Sequence, residues 1–320
     1  MYNQRCCEVV LVSNQTYQNN MHNIKTNFDK VIEVIKQNIG EEVEDGNFRR
    51  RGTKPKFSDL EVIALSLTAE CLGIDSENLL FSKLRAEYRN DFKNLISRRQ
   101  YNDRRKFLFA KQEVVRARMT AQLNATSEVY AIDSMPLEIC KLSRMQRNKM
   151  GKENIHSAPD KGYCASQKKY FYGYKLHSVC AASGVVQSLD LTKASVHDIH
   201  YLKDVKEMFS NCIIAGDKGY ISKTIQIDLF ETAGIKLEVP MRNNQKEKKP
   251  MIRILKKIRK RIETVFSQLC DQFMIQRNYA KSFTGFKTRI LSKITGLTFL
   301  QYLNKFVNHQ PIGRVKHALY

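Results

Sequence analysis

Apolar residues recur at helical spacing through the first third of the chain. They do so over residues 23–39, and Gly40 ends the run. Ser58 and Glu61 have the spacing of a capping box, in which each side chain caps the other residue's backbone N–H, ahead of the apolar run 62–72. The pattern therefore predicts two helices at the start of the chain.

Two further helices are predicted before the pattern changes. Residues 78–89 have helical patterning, and Ser97 with Gln100 forms another capping box. This second box opens a basic helix that continues to Leu123. The first 125 residues are therefore predicted to be all helical, apart from a polar stretch between the first two helices.

The periodicity changes at Ser127, where β-rich runs and turns begin. Residues 129–134 predict one strand, and residues 171–181 and 185–192 predict a hairpin. Helices and strands then alternate, with helices over 197–209, 222–233 and 251–273 and strands over 212–215 and 235–239. This order predicts an α/β fold, a mixed sheet with helices on its faces.

Two segments lack periodicity and predict loops. They are residues 140–169, which are basic and rich in turn formers, and the polar residues 243–250. Residues 286–306 predict a terminal helix or helix pair. The patterns divide the chain into four predicted parts: a loose tail over 1–20, a helical region over 21–125, an α/β domain over 126–275 and a helical extension over 276–320.

The charge balance indicates a polyanionic partner. The 320 residues include 54 Lys and Arg against 32 Asp and Glu, a net charge of +22. Nucleic acid is the favoured partner, because no apolar stretch approaches the roughly 18 residues that a membrane-spanning helix needs. The eight cysteines form no CxxC pair, which favours reduced thiols, and no signal-peptide core is present. We therefore expect a cytoplasmic protein.

Three acidic residues lie in apolar segments of this basic chain. Asp133 and Asp217 end strand-like runs, and Glu263 lies in a helical run. Carboxylates on two neighbouring strands and an adjacent helix can converge on hard divalent cations such as Mg²⁺. Each residue also has a local explanation: a turn for either aspartate, and an ion pair with Arg259, one helical turn earlier, for Glu263.

Four passages resemble the DDE transposases of small bacterial insertion sequences. They are Ala131-Ile-Asp133-Ser, Tyr172-Gly-Tyr-Lys175-Leu-His177, Ala215-Gly-Asp217-Lys-Gly-Tyr220 and Arg261-Ile-Glu263-Thr-Val-Phe-Ser-Gln-Leu269. The resemblance runs from about residue 58 to residue 304. Two positions near the glutamate depart from the family pattern, with Lys256 in place of a tyrosine and Cys270 in place of a lysine.

The resemblance implies an RNase H-like catalytic domain with a catalytic, metal-binding triad of Asp133, Asp217 and Glu263. It implies two Mg²⁺ or Mn²⁺ ions, with strand cleavage and strand transfer at the ends of an insertion sequence. The implied partners are the inverted repeats of the element, target DNA and further copies of the chain, as a homodimer or higher oligomer. It also implies a nucleoid-associated bacterial protein whose helical region binds DNA and dimerises.

Basic residues supply the predicted DNA contacts, and solvated charge is the alternative for each of them. They are Arg98, Arg99, Arg104, Arg105, Arg144, Arg147, Lys152, Lys168, Lys175, Lys218 and Arg259. His177 is predicted to support the metal ligands, or else to be a hydrogen-bonded core histidine. For Tyr163, Tyr170 and Phe171 we expect one of two roles, stacking on unpaired bases or packing within the protein. The group His197-Asp198-x-His200 is explained better by a helix start than by a metal site.

Two other functions remain open at this point. A nuclease would cleave DNA without strand transfer. A DNA-binding protein or repressor derived from an inactive transposase would bind DNA and cleave none.

Overall fold

The computed structural model describes residues 23–48, 52–124, 128–241 and 251–319. The chain divides into two compact units, one comprising Met1–Met119 with Leu291–Tyr320 and the other Thr120–Ile290. The division into four parts made from the sequence remains a prediction. The predicted loop 243–250 and the predicted transition at Ser127 lie outside the described residues.

The first unit is helical, as the sequence predicts. Its helices, including two that continue across the unit boundaries, are α1 Ile24–Ile39, α2 Asp59–Cys71, α3 Glu77–Glu87, α4 Arg98–Phe107, α5 Phe109–Leu123 and α9 Phe283–Phe306. Both predicted capping boxes form, at Ser58 and at Ser97. The predicted basic helix is two helices, α4 and α5, which meet at Leu108.

A short hairpin accompanies these helices. Strand β1, Val43–Glu44, pairs antiparallel with β2, Asn47–Phe48. Asp45 and Gly46 join the strands with φ values of 51° and 74°. Asp-Gly is a favoured sequence for hairpin turns that need two positive φ angles, so this signal was present within the polar stretch.

Charged residues are buried and paired inside the helical unit. Lys293 is fully buried, and its Nζ lies 2.8 Å from both a Glu70 and an Asp75 carboxylate oxygen. Arg105, also buried, lies 2.9 Å from Glu77. Burial of an ionised group is tolerated when it is paired in this way.

The second unit contains a mixed sheet with six strands among the described residues. The strands are β3 Val129–Cys140, β4 Asp160–Cys164, β5 Lys169–Ala181, β6 Val186–Lys193, β7 Ile213–Ala215 and β8 Lys236–Glu238. The order is β5-β3-β7-β8, and both β4 and β6 pair with β5. Strands β5 and β3 are antiparallel, whereas β3, β7 and β8 are parallel. The α/β, RNase H-like sheet that the sequence predicted is confirmed.

Helices cover the sheet. Helices α6, Tyr201–Met208, and α7, Lys223–Ala233, pack with sheet residues such as Ile132 and Ile214 in one apolar core. Helix α8, Arg253–Asp271, contacts β3, β5 and β7. Its buried residues include Ile262 and Leu269, which recur at helical spacing.

The structure extends one predicted strand, adds another and changes the start of one predicted helix. Strand β3 continues to Cys140 because β5 supplies backbone partners along its whole length. The predicted loop 140–169 contains β4, which pairs with the first residues of β5. The helix predicted over 197–209 begins as a 3₁₀ turn, Asp198–His200, before α6.

Candidate active site

Strand register brings Asp133 on β3 close to Asp217, which follows the end of β7. Ala131 on β3 lies opposite Ala215 on the parallel strand β7. Each aspartate is two residues further along its chain, just past this last parallel pair, so the two residues lie side by side. The two carboxylates that the sequence predicted to converge are therefore neighbours.

Local hydrogen bonds hold both carboxylates. Asp133 Oδ1 accepts from the Ser134 backbone N–H at 2.8 Å. Asp217 caps the 3₁₀ turn Lys218–Tyr220, because its side chain accepts from the Gly219 N–H. These bonds position the Asp133 carboxylate within β3 and the Asp217 carboxylate just after β7.

The electrostatics around Asp133 show an excess of negative charge. Burial is the largest cause that raises the pKa of Asp133, to about 7, and the charges of Asp217 and Asp198 raise it further. The Ser134 hydrogen bond and the Arg259 guanidinium act in the opposite direction. A bound cation would favour the charged form of such a carboxylate.

Asp198 is a third acidic neighbour that sequence reasoning did not assign to the site. It begins the 3₁₀ turn after β6, as the helix-start explanation predicts. Its Oδ1 accepts a hydrogen bond from Lys175 Nζ at 2.9 Å, and the same ammonium donates to the Val196 carbonyl. An acidic residue in a helical first turn is common, so the sequence carried no distinguishing signal.

Tyr220 contributes a buried hydroxyl beside these carboxylates. The side chain is 1% exposed, and its hydroxyl has no hydrogen-bond partner among the described residues. Burial raises the pKa of Tyr220 well above its usual value, and the charges of Asp198, Asp133 and Asp217 raise it further. A buried polar atom without a partner is unusual and indicates a place where a further group binds.

Glu263 lies on α8, and its side chain is paired with another group. It is 51% exposed, and its Oε1 lies 3.3 Å from Arg259 Nη1 on the preceding turn. This is the ion pair that the sequence offered as the local explanation. Within 23–48, 52–124, 128–241 and 251–319, no three His, Cys, Asp or Glu side chains are arranged to hold a metal ion.

Comparison with known protein families agrees with this arrangement. A family described as "Transposase DDE domain" matches residues 124–299, more than half of the chain. The chain belongs to this family. No curated protein and no solved structure matches the chain.

Membership of the DDE transposase family indicates the general chemistry of this protein. The family implies an enzyme of phosphoryl transfer on nucleic acid, with DNA as the partner. Such transposases generally use divalent metal ions. The carboxylate oxygens of Asp133 and Asp217, in their surplus of negative charge, suit a hard cation of this kind.

The predicted DNA contacts of the helical unit fall into two groups. Arg98 and Arg99 are exposed on the first turn of α4. Arg104 instead binds inward, donating to the Asp59 carboxylate at 2.6 Å and to the Phe57 carbonyl. Arg105 is similarly enclosed, in the ion pair with Glu77 described above. Arg104 and Arg105 therefore stabilise the helical unit, and an exposed contact with DNA remains a prediction for Arg98 and Arg99.

The predicted contacts of the transposase domain also divide. Five are exposed: Arg144, Arg147, Lys152, Lys168 and Lys218. Lys175 and Arg259 are instead engaged with Asp198 and Glu263. In the structure, Lys175 therefore holds the Asp198 carboxylate and Arg259 holds the Glu263 carboxylate.

His177 does not face the carboxylates. In the ladder between β3 and β5, it pairs with Ser134, the neighbour of Asp133, and side chains alternate between faces. Its ring packs against Tyr201, and its Nε2 lies 2.7 Å from Thr192 Oγ1. Burial lowers the pKa of His177 to about 4. The sequence left two roles open for His177, support of the metal ligands or a hydrogen-bonded core histidine. The geometry favours the core histidine.

No helix in the described part of the chain is both long enough and apolar enough to cross a bilayer.

Proposed function

We propose that this transposase cleaves and joins DNA strands at the ends of an insertion sequence, with Asp133, Asp217 and Glu263 as its catalytic carboxylates. The observation that carries the proposal is the juxtaposition of Asp133 on β3 with Asp217 just after β7, each two residues beyond the pair Ala131–Ala215. The raised pKa of Asp133 supports it, since burial and the charges of Asp217 and Asp198 outweigh the effect of the Arg259 guanidinium.

The residues of the chain prepare this site for a divalent ion. Asp133 and Asp217 would hold the ion, and Glu263 would join them after leaving Arg259. Bound Mg²⁺ or Mn²⁺ supplies charge neutralisation at the attacking and leaving oxygens of the phosphodiester. Arg259, once released, is a cation beside the carboxylates and suits a DNA phosphate.

Cleavage of a supercoiled plasmid that carries the DNA flanking the gene tests the proposal. The wild-type protein should nick it in the presence of Mg²⁺ or Mn²⁺ and join the freed 3′ ends to a second DNA. Asp133→Asn, Asp217→Asn and Glu263→Gln should each lower cleavage by at least ~100-fold while DNA binding persists. Asp228→Asn, a change to a half-exposed carboxylate that pairs with Lys206 on the helices of the same unit, is the matched control.

Two other outcomes identify the alternatives. Cleavage without joining would indicate a nuclease. Binding without cleavage under either metal would indicate a DNA-binding protein derived from an inactive transposase. One observation favours a test for the inactive, DNA-binding protein. Glu263, the third proposed catalytic carboxylate, is already paired with Arg259. Cleavage that survives Asp133→Asn would remove Asp133 from the catalytic set.

A further inference from the structure

The hairpin of β4 and β5 presents an aromatic and basic surface to solvent. Tyr163 and Tyr170 lie directly opposite each other in the ladder, 49% and 56% exposed, with ring centroids 5.0 Å apart. Lys161 Nζ lies 4.4 Å from the centroid of the Tyr170 ring. We call these three residues the hairpin surface.

The two faces of the hairpin have different compositions. Cys164 and Phe171 point to the other face, where they pack with Ala194 in a small apolar cluster. That face is buried against Ala194, which follows β6. Tyr163 and Tyr170 therefore lie on the opposite face of the hairpin, where about half of each side chain is exposed to a partner.

Charge favours a nucleic-acid partner for this surface. Residues 141–169, which contain β4 and the loop before it, carry eight Lys or Arg against two acidic residues. Arg144, Arg147 and Lys152 in that loop are exposed. Basic groups attract phosphates, whereas tyrosine rings offer flat faces on which unstacked bases can lie. A double helix hides the faces of its bases, so the two tyrosines favour unpaired nucleotides.

We propose that the hairpin surface binds unpaired bases of the DNA by stacking on Tyr163 and Tyr170. The inference rests on the proposed function and adds to it a specific form of substrate, DNA that is locally single-stranded. Ser178, opposite Asp133, is eight residues after Tyr170 on the same strand. At ~3.3 Å per residue the tyrosines lie roughly 26 Å from the carboxylates, about eight nucleotides of a B-form strand.

Binding of oligonucleotides to the full-length protein tests this proposal without any need for cleavage. The probes are a 20-nucleotide oligo(dT) and a mixed-sequence duplex of the same length, each followed by fluorescence anisotropy at fixed salt. Stacking contributes ~1–3 kcal/mol per base, so loss of both rings in Y163A/Y170A should weaken oligo(dT) binding by at least roughly 30-fold. Duplex binding should change less than about threefold, because phosphate contacts remain.

Three further variants make the result specific. Y163F/Y170F keeps both rings and should bind within about twofold of the wild type. Tyr279→Ala removes a tyrosine that is 58% exposed and has Arg289 over its ring, outside the hairpin, and should change nothing. The chain has no tryptophan, so Tyr170→Trp creates a single reporter whose fluorescence should fall when oligo(dT) is added.

Several results would overturn the proposal. They are equal losses on oligo(dT) and duplex, unchanged oligo(dT) binding in Y163A/Y170A, a silent Tyr170→Trp reporter, and a change of oligomeric state in the alanine variant. The last would assign the surface to contacts between copies of the chain. If plasmid cleavage fails while oligo(dT) binding depends on both tyrosines, only the proposed catalysis is lost.

Discussion

Arg259 Nη1 lies 3.3 Å from Glu263 Oε1, and the same guanidinium lowers the pKa of Asp133. One cation therefore acts on two of the three proposed catalytic carboxylates. A positive side chain beside carboxylates partly replaces the charge that a divalent ion would supply. Metal binding and the Arg259–Glu263 pair should then compete.

Replacement of Arg259 tests this competition. Arg259→Gln should tighten Mn²⁺ binding to the DNA-free protein by about two- to fivefold, since a partly exposed ion pair contributes ~0.4–1 kcal/mol. Isothermal titration calorimetry measures the affinity. Lys257→Gln removes an exposed charge from the same helix and should have a smaller effect. Equal or weaker Mn²⁺ binding in Arg259→Gln would show that the arginine does not compete with the metal.

The pKa of Asp133 predicts how stability depends on pH in the metal-free protein. Burial raises this pKa to about 7, whereas an unfolded aspartate has a pKa of about 4. The native state therefore binds a proton that the unfolded chain releases, and its contribution to stability, full below about pH 4, is lost as the pH rises through 7. Asp133→Asn should stabilise the protein by on the order of 2 kcal/mol at pH 8 and by less at pH 5.

Thermal melts in chelator at the two pH values measure this difference. Asp228→Asn is the matched control, because Asp228 is half exposed and pairs with Lys206. The effect of Asp228→Asn on the melting temperature should not increase between pH 5 and pH 8. A stabilisation by Asp133→Asn that is the same at pH 5 and pH 8 would contradict the raised pKa.

The strand positions in the site were predictable from sequence, and the ion pairs across the fold were not. Asp133 and Asp217 each follow an apolar β-rich run, and two such runs in an α/β order end at one edge of the sheet. Arg104 and Asp59 are distant in sequence, so a basic helix by itself predicted solvated charge or DNA contact. Their pairing depends on how the helices pack.

The types of the residues near the carboxylates were also insufficient to predict which side chains meet there. Asp198 approaches the site because Lys175, on β5, holds its carboxylate from another element. For Glu263, by contrast, the local explanation from sequence, an ion pair with Arg259, is what the structure contains. Short-range relationships on one helix can be predicted from spacing, whereas convergence of side chains from several elements requires the fold.

The buried hydroxyl of Tyr220 predicts opposite effects on stability and metal binding. It has no hydrogen-bond partner in the described chain, so Tyr220→Phe removes a desolvated polar group. The metal-free variant should be as stable as the wild type or up to ~2 kcal/mol more stable in urea unfolding. Because the hydroxyl lies beside the carboxylates that would hold the ion, Mn²⁺ affinity and cleavage should both fall in Tyr220→Phe.

Tyr201→Phe provides the comparison. Tyr201 belongs to the same apolar core, but its hydroxyl lies 2.8 Å from Ser188 Oγ. Loss of that bond should destabilise the protein by about 1 kcal/mol and leave Mn²⁺ affinity unchanged. A marked destabilisation by Tyr220→Phe would show that its hydroxyl is hydrogen-bonded in solution.

Lys293 predicts how strongly the helical unit depends on buried charge. Its fully buried ammonium lies between Glu70 and Asp75, which are themselves nearly buried. Lys293→Met should lower the free energy of unfolding by ~3–5 kcal/mol, because it removes the nearest cation from two buried carboxylates and leaves Glu70 only the more distant Arg105, at 4.0 Å. Lys83→Met breaks an exposed pair with Glu87 in the same unit and should cost under ~0.5 kcal/mol. The triple change Lys293→Met, Glu70→Gln and Asp75→Asn should recover much of the loss, since no unpaired charge remains. Urea unfolding measures all three proteins, and a Lys293→Met cost no larger than that of Lys83→Met would contradict a buried ion-pair network.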